Sequence, residues 1–347
     1  MIERRELIKR AGAVAVAGMA PMLPSRAQAK PGGHILASHY CKGTFDLKGI
    51  GTVSLNFGGT GYASFDNISD YESFSISQIK RLSTVAMRWE VNRCFANPNP
   101  IVGLVSATAM VRGRSSFDSR NAIMAAGPEG ILPATMINQI HFLIEIPKLG
   151  IRMFNRDPMT LRGEVQPMTS ERILADPRVK ANPAGLATNM LKEVDSNFDP
   201  VGTHTLVQPV EFFDIDNPDE KRATLLSSTI ESLPNYGVEV SLVRGDIAGE
   251  ALHVEYEIRN LTQKTRQVVW YIDDSHDLRL VGGPRFERAS LGREPIRVRA
   301  EARNTNARLK TAERSCMFCG VVSTRGGPDD FISGFNYSDR AHYKLLA

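Results

Sequence analysis

Two short spacings in this 347-residue chain set thiols and imidazoles where they can share a ligand. Cys316 and Cys319 enclose Met317 and Phe318, and His39 stands two residues before Cys41. Alternate residues of an extended strand share a face, so His39 and Cys41 point the same way. Imidazole and thiolate suit copper and zinc. His39, Cys41, Cys316 and Cys319 therefore form a candidate metal set, and with it a metal-handling or redox function. The Cys-x-x-Cys pair lacks the helix start that lowers a thiol pKa in redox proteins, because Gly320-Val321-Val322-Ser323 continues as strand or turn. Gly320 also excludes haem attachment, which needs His at that place. Cys94 brings the count to four, and an even count in an oxidising compartment favours disulfides. Pairing Cys41 with Cys94 and Cys316 with Cys319 needs the fewest long-range closures.

Carboxylates gather in two places. "YIDDSHDL" supplies Asp273, Asp274, His276 and Asp277, where Asp beside His can do acid–base work in a metal-assisted hydrolase. The alternation Asp273, Ser275, Asp277 imitates the start of a calcium loop. Leu278 occupies its glycine position, however, and no Glu closes it. "FFDIDNPDEKR" places Asp214, Asp216, Asp219 and Glu220 in a second acidic turn. His204 stands between two threonines with no partner in its neighbourhood of sequence. Nucleophile elbows, phosphate-binding loops and His-Glu-x-x-His are absent. Phe57-Gly58-Gly59-Thr60-Gly61-Tyr62 reads as a hairpin turn between strands, and Arg244-Gly245-Asp246 as another turn.

The elements that would position these residues are strands. Val85, Met87, Trp89 and Val91 alternate with polar neighbours, and so do Ile140, Phe142, Ile144 and Ile146. Residues 101–111 are almost continuously apolar, as in a strand buried on both faces. Three consecutive strands follow in residues 237–274, with Val238, Val240 and Leu242, then Leu252, Val254, Tyr256 and Ile258, then Val268, Trp270 and Ile272 facing inward. Between the β-rich halves, five prolines punctuate residues 156–202. One helix starts there at Asn182-Pro183 with a stripe of Leu186, Met190, Leu191 and Val194. A second short helix fits Ser119 to Ala126. The expectation is a mainly β protein of two β-sandwich-like domains joined by a short helical, proline-rich connector. The bounds are 1–29 for a leader, 30–165, 166–200 for the connector, and 201–347.

The three-strand unit resembles a meander of an immunoglobulin-like sandwich, carried by "EYEIRNLT" and its flanks. At the N-terminus, Arg4-Arg5-Glu6-Leu7-Ile8-Lys9 resembles the twin-arginine export signal of bacteria. Ala11 to Ala20 is apolar but too short to span a bilayer, and Ala27-Gln28-Ala29 is a small-x-small cleavage pattern. That resemblance implies a periplasmic protein that meets the twin-arginine translocase already folded, with any cofactor, such as a metal ion, inserted beforehand.

The leader holds five basic residues and two acids of a chain with net charge +4, so the rest is nearly neutral. General nucleic-acid binding loses its support, and no other stretch approaches a membrane span. Residues 279–314 nevertheless carry ten Arg/Lys against four Glu. With few aromatics among them, they fit a solvated sheet face or an acidic periplasmic ligand or protein better than nucleic-acid bases. Three functions follow: an exported binding or accessory protein, a hydrolase using residues 273–277, and a metal or redox protein using the thiols.

Overall fold

The computed structural model describes residues 34–65, 84–110, 120–127, 130–186, 200–248, 251–274, 278–304 and 316–339. The expected export signal, the expected helical stripe beyond Leu186, and His276 and Asp277 lie outside them.

The protein is mainly β. Its first twelve strands are β1 (His34–Leu47), β2 (Gly51–Phe65), β3 (Thr84–Asn99), β4 (Gly103–Ala109), β5 (Arg120–Gly127), β6 (Gly130–Ile140), β7 (Phe142–Ile146), β8 (Ile151–Asn155), β9 (Met159–Pro167), β10 (Pro200–Leu206), β11 (Val210–Asp214) and β12 (Lys221–Leu233). They form one antiparallel sheet, in which β1-β2-β3-β4-β7-β8-β11-β12 closes on itself because β12 also pairs with β1. A second path, β12-β10-β9-β6-β5, returns to β3. The long strands make both paths possible. β12 holds β11 along its first half and β10 along its second, and β3 holds β5 and then β4.

This first sheet is barrel-like where a sandwich was expected, because closure through β1 and β12 leaves the apolar faces a lumen to fill. Phe45, Phe57, Ile140, Phe142, Ile144, Phe212 and Leu225 fill it. The register also crosses the expected boundary at residue 200. β9 pairs with β10, and β1 with β12, so residues 200–233 share a sheet with the N-terminal strands.

Eight further strands make two four-stranded sheets. In chain order these are β13 (Val238–Ala248), β14 (Ala251–Asn260), β15 (Arg266–Asp274), β16 (Leu278–Gly282), β17 (Phe286–Leu291), β18 (Ile296–Asn304), β19 (Cys316–Ser323) and β20 (Ser333–Asp339). One sheet runs β13-β14-β18-β16 and the other β17-β15-β19-β20. They share a core of Val240, Val254, Tyr256, Ile258 and Val298 against Trp270, Ile272, Met317, Cys319 and Val321. The expected three-strand meander is therefore split, since β15 leaves β13 and β14 for the second sheet. Its composition explains the move. Every residue from Val268 to Asp274 is buried, with Val268 and Trp270 in the sandwich core and Val269 and Tyr271 against the barrel wall. Only a strand covered on both faces suits that run.

Other expectations change for local reasons. Residues 120–127 are strand, paired along β6, instead of a helix. Arg244 and Asp246 form an ion pair within β13, where a turn was expected. The connector contributes two short helices, α1 (Ser170–Ala175) and α2 (Pro177–Ala181), and a 3₁₀ turn at Pro183–Gly185 in place of the helix start. Ile173 and Val179 pack on the sandwich core, and the buried Arg178 donates to Asp176 and to the Phe331 and Pro234 carbonyls.

Candidate metal centre

Alternation sorts β1 and β3 into two faces. Toward the lumen stand His39 and Cys41 from β1, and Asn92 and Cys94 from β3. Outward, Tyr40 and Phe95 meet Tyr271, Phe318 and Phe331 of the sandwich side. The register then aligns three strands. His39 is opposite Gly59 on β2, and Gly59 is opposite Cys94 on β3. The glycine lets the two side chains meet, with His39 Nε2 3.2 Å from Cys94 Sγ. A methyl group at Gly59 would sit 2.5 Å from that nitrogen and 2.6 Å from the sulfur. So the glycine-rich Phe57–Gly61 stretch is mid-strand, not a hairpin turn, and its lack of side chains opens room inside the wall.

Cys41 joins them: one donor atom from each of His39, Cys41 and Cys94 lies within 4.8 Å of the other two, and all three residues are buried. Burial and electrostatics divide the two thiols. Cys94 is held below the ordinary thiol range, first by a hydrogen bond from Cys41 and then by His39 and Arg93. Cys41 is pushed up by that same hydrogen bond and by burial. The two thiols therefore differ in how readily each gives up the proton that a soft ion displaces.

The expected Cys41–Cys94 disulfide does not form, and both thiols are free. The reason is topological. β2 lies between β1 and β3, and Cys41 is two residues along from the row that holds Cys94, so two strand spacings or more, roughly 10 Å, separate the Cα atoms. A disulfide spans less than about 7 Å between Cα atoms.

The structure thus brings His39 and Cys41 together with Cys94 and not with Cys319. Cys319 is fully buried in the sandwich core, where desolvation alone pushes its thiol well up. Cys316 begins β19 opposite Asp339. Of the candidate catalytic residues, Asp273 is buried against Arg93, whose Nε donates to Oδ2 at 3.0 Å and whose Nη2 reaches Oδ1 at 3.4 Å. Asp274 accepts the Leu280 amide at 3.1 Å. Both carboxylates are engaged in holding strands together. In the other acidic turn, Asp214 accepts from the amides of Asp216 and Asn217 and from Arg222 Nε, and Arg222 first of all holds its carboxyl below the usual range.

Two more polar residues face the same lumen. His204 on β10 is 1% exposed and Asn138 on β6 is 5% exposed. Among the described residues, neither ring nitrogen of His204, nor Asn138 Oδ1, has a hydrogen-bond partner. Burial drives the His204 pKa down to about 4; the Ile230 backbone opposes this, and His39 adds to the lowering. Cys94, Gly59 and Asn138 carry no sequence signal of their own. They enter the site through strand register across the sheet.

No family model and no curated protein matches the chain. Among solved structures, it is similar to DynF from the dynemicin biosynthesis pathway of Micromonospora chersina, at 16% identity over 62% of this chain and 92% of that one. The TM-score is 0.40, a level that carries no argument about fold or function.

Proposed function

We propose that the chain is an exported metal-binding protein that holds one soft ion, zinc(II) or copper(I), on His39, Cys41 and Cys94 inside the barrel. The observation that carries this reading is the meeting of one imidazole and two thiols, all buried, above a glycine that makes room for them. A tetrahedral zinc with Zn–S bonds of about 2.3 Å holds two thiolates about 3.8 Å apart. The three donors lie within 4.8 Å of one another, so they need little movement to close on an ion. Thiols too far apart on the backbone to bond each other, yet close at their tips, are what a bridging ion requires. The ligand types favour zinc or copper(I) over magnesium or calcium, which take oxygen.

The twin-arginine leader fits the same reading. An ion enclosed by a closed sheet is most easily loaded while the chain folds, and that export route carries folded cargo. Periplasmic location, passage through the translocase and binding instead of catalysis all belong to this proposal. A hydrolase at residues 273–277 loses support, because Asp273 and Asp274 are already committed to Arg93 and the Leu280 amide.

Elemental analysis of reduced protein purified from its native compartment tests the reading, with about one equivalent of zinc or copper per chain expected. Stripped protein should rebind one equivalent. Gly59→Ala should weaken that binding by roughly a hundredfold or more, since the new methyl group occupies the space between two ligands. Native and reconstituted protein both lacking stoichiometric metal would overturn it.

A further inference from the structure

His39, Cys41 and Cys94 supply three donors, and a tetrahedral ion wants four. All three line a lumen cavity of about 70 Å³, with the sheet behind them, so the remaining direction faces the cavity. His204 lines the same cavity but is not among the donors within 4.8 Å of one another. Its two nitrogens and Asn138 Oδ1 are buried polar atoms for which no group among the described residues provides a hydrogen bond. A buried polar atom left unsatisfied costs about 1–3 kcal/mol, so three around one cavity call for a polar occupant.

We infer that the bound ion keeps its fourth position open toward this cavity and there takes one lone-pair donor of one to three heavy atoms, held by His204 and Asn138. The inference rests on the metal reading above and adds what that ion binds. The size scale follows from the cavity: one water needs roughly 10–15 Å³ of such space, so about 70 Å³ accommodates the small ligand with a few waters beside it and nothing much larger. The chemistry follows from the lining. A neutral imidazole both donates and accepts, and an amide oxygen accepts, so the pair can hold a ligand that has a proton to give. Asn92, Ser228 and Ser232 add polar groups to the lining, and Phe45, Phe57, Phe142, Phe212 and Met159 make much of the remainder apolar. Water is the resident ligand, and small anions compete for its place.

Cobalt(II) loading separates this inference from the one beneath it. The loaded protein should show tetrahedral d–d bands with thiolate charge transfer, and water enriched in oxygen-17 should broaden its electron paramagnetic resonance signal. Azide should then shift the bands saturably. His204→Leu and Asn138→Leu should each weaken azide by about tenfold, the loss of one hydrogen bond, while cobalt stoichiometry stays at one. His204→Gln keeps a hydrogen-bonding end and should restore much of the affinity, which also guards against a variant that folds poorly. Cobalt bound with no oxygen-17 broadening and no response to azide overturns the open position. Azide binding equally to all variants overturns the role of His204 and Asn138. Failure to bind cobalt at all overturns the metal reading itself.

Discussion

The barrel lumen and the sandwich core each bury a cysteine, Cys94 on β3 and Cys319 on β19. Both side chains are shut away from water, at 4% and 0% exposure. Around Cys319 the neighbours are Ile, Val, Met and Trp, and nothing offsets the cost of charging sulfur, so its thiol is pushed up. Around Cys94 stand a second thiol and an imidazole, and these lower it despite the same burial. Burial makes a thiol inert or useful according to what is buried beside it. The lumen has such company because three strands align His39, Gly59 and Cys94, whereas the sandwich core interlocks apolar side chains from two sheets.

The largest effect should come from exchanging the two sulfurs for oxygen separately. Cys94→Ser is expected to weaken zinc binding by roughly a thousandfold or more, because a hydroxyl is a far poorer ligand than a thiolate. Cys319→Ser should leave zinc affinity unchanged and cost about 1–3 kcal/mol of stability, the burden of a hydroxyl in apolar surroundings. Competition with a chromophoric chelator reads the first and urea unfolding the second. Equal losses of zinc affinity in both variants would mean that the comparison fails and that metal binding merely follows fold stability.

Much of this arrangement was open to sequence reading, and the part that was not has one physical origin. Period-two alternation identifies strands, and it places His39 and Cys41 on one face without reference to any other segment. The β-rich character and the inward residues of β13, β14 and β15 are visible for the same reason. Register between distant strands is another matter. Nothing local in Asn92-Arg93-Cys94 says that Cys94 will face His39, and nothing in Phe57-Gly58-Gly59 says that this stretch spans the wall between them. Glycine usually marks a turn, and here it marks a close approach of neighbouring side chains. Asp273 misleads in the opposite way. Beside Asp274 and His276 it looks like acid–base chemistry, yet Arg93, 180 positions away, claims it.

That ion pair offers the next test, since it lies where the barrel wall meets the sandwich. Both side chains are buried, at 7% and 6% exposure, and Tyr271 beside them exchanges hydrogen bonds with Thr60. Arg93→Leu should cost about 3–5 kcal/mol by leaving a carboxylate buried and unpaired. Adding Asp273→Leu should recover most of that loss, because an apolar pair of similar size replaces a desolvated ionic one. Denaturant melts of the single and double variants measure it. If the double variant is no better than the single, the pair is not the seam described here. Zinc affinity in the double variant sharpens the contrast with Cys94: Arg93 faces outward and is the smallest of the influences on that thiol, so the ion should bind within about threefold of its ordinary strength.

The smallest effect belongs to the arginine-rich stretch, and it bears on whether that stretch awaits an acidic partner. On the outer face of the β13-β14-β18-β16 sheet, Arg297 reaches Glu255 and Glu257 and Arg299 reaches Glu255, while Arg303 pairs with Glu301. Cross-strand register sets this ladder, placing Arg299 opposite Glu255 and Arg297 opposite Glu257. The Arg299 hydrogen bond, more than any other influence, lowers the Glu255 carboxyl below its ordinary value. The sign follows: the pair contributes fully above that ordinary value, and its contribution is lost as pH falls through the lowered one. Arg299 is 77% exposed, so the contribution is small and screened by salt. Arg299→Ala should move the melting temperature by less than about 3 °C at neutral pH, and by still less in 1 M salt. Because β14 supplies the counter-charges, the same variant should also leave retention on an immobilised polyanion nearly unchanged. A large drop in retention would mean that Arg299 presents free charge to an outside partner despite Glu255, and the ladder would then be an interaction surface instead of a self-paired sheet face.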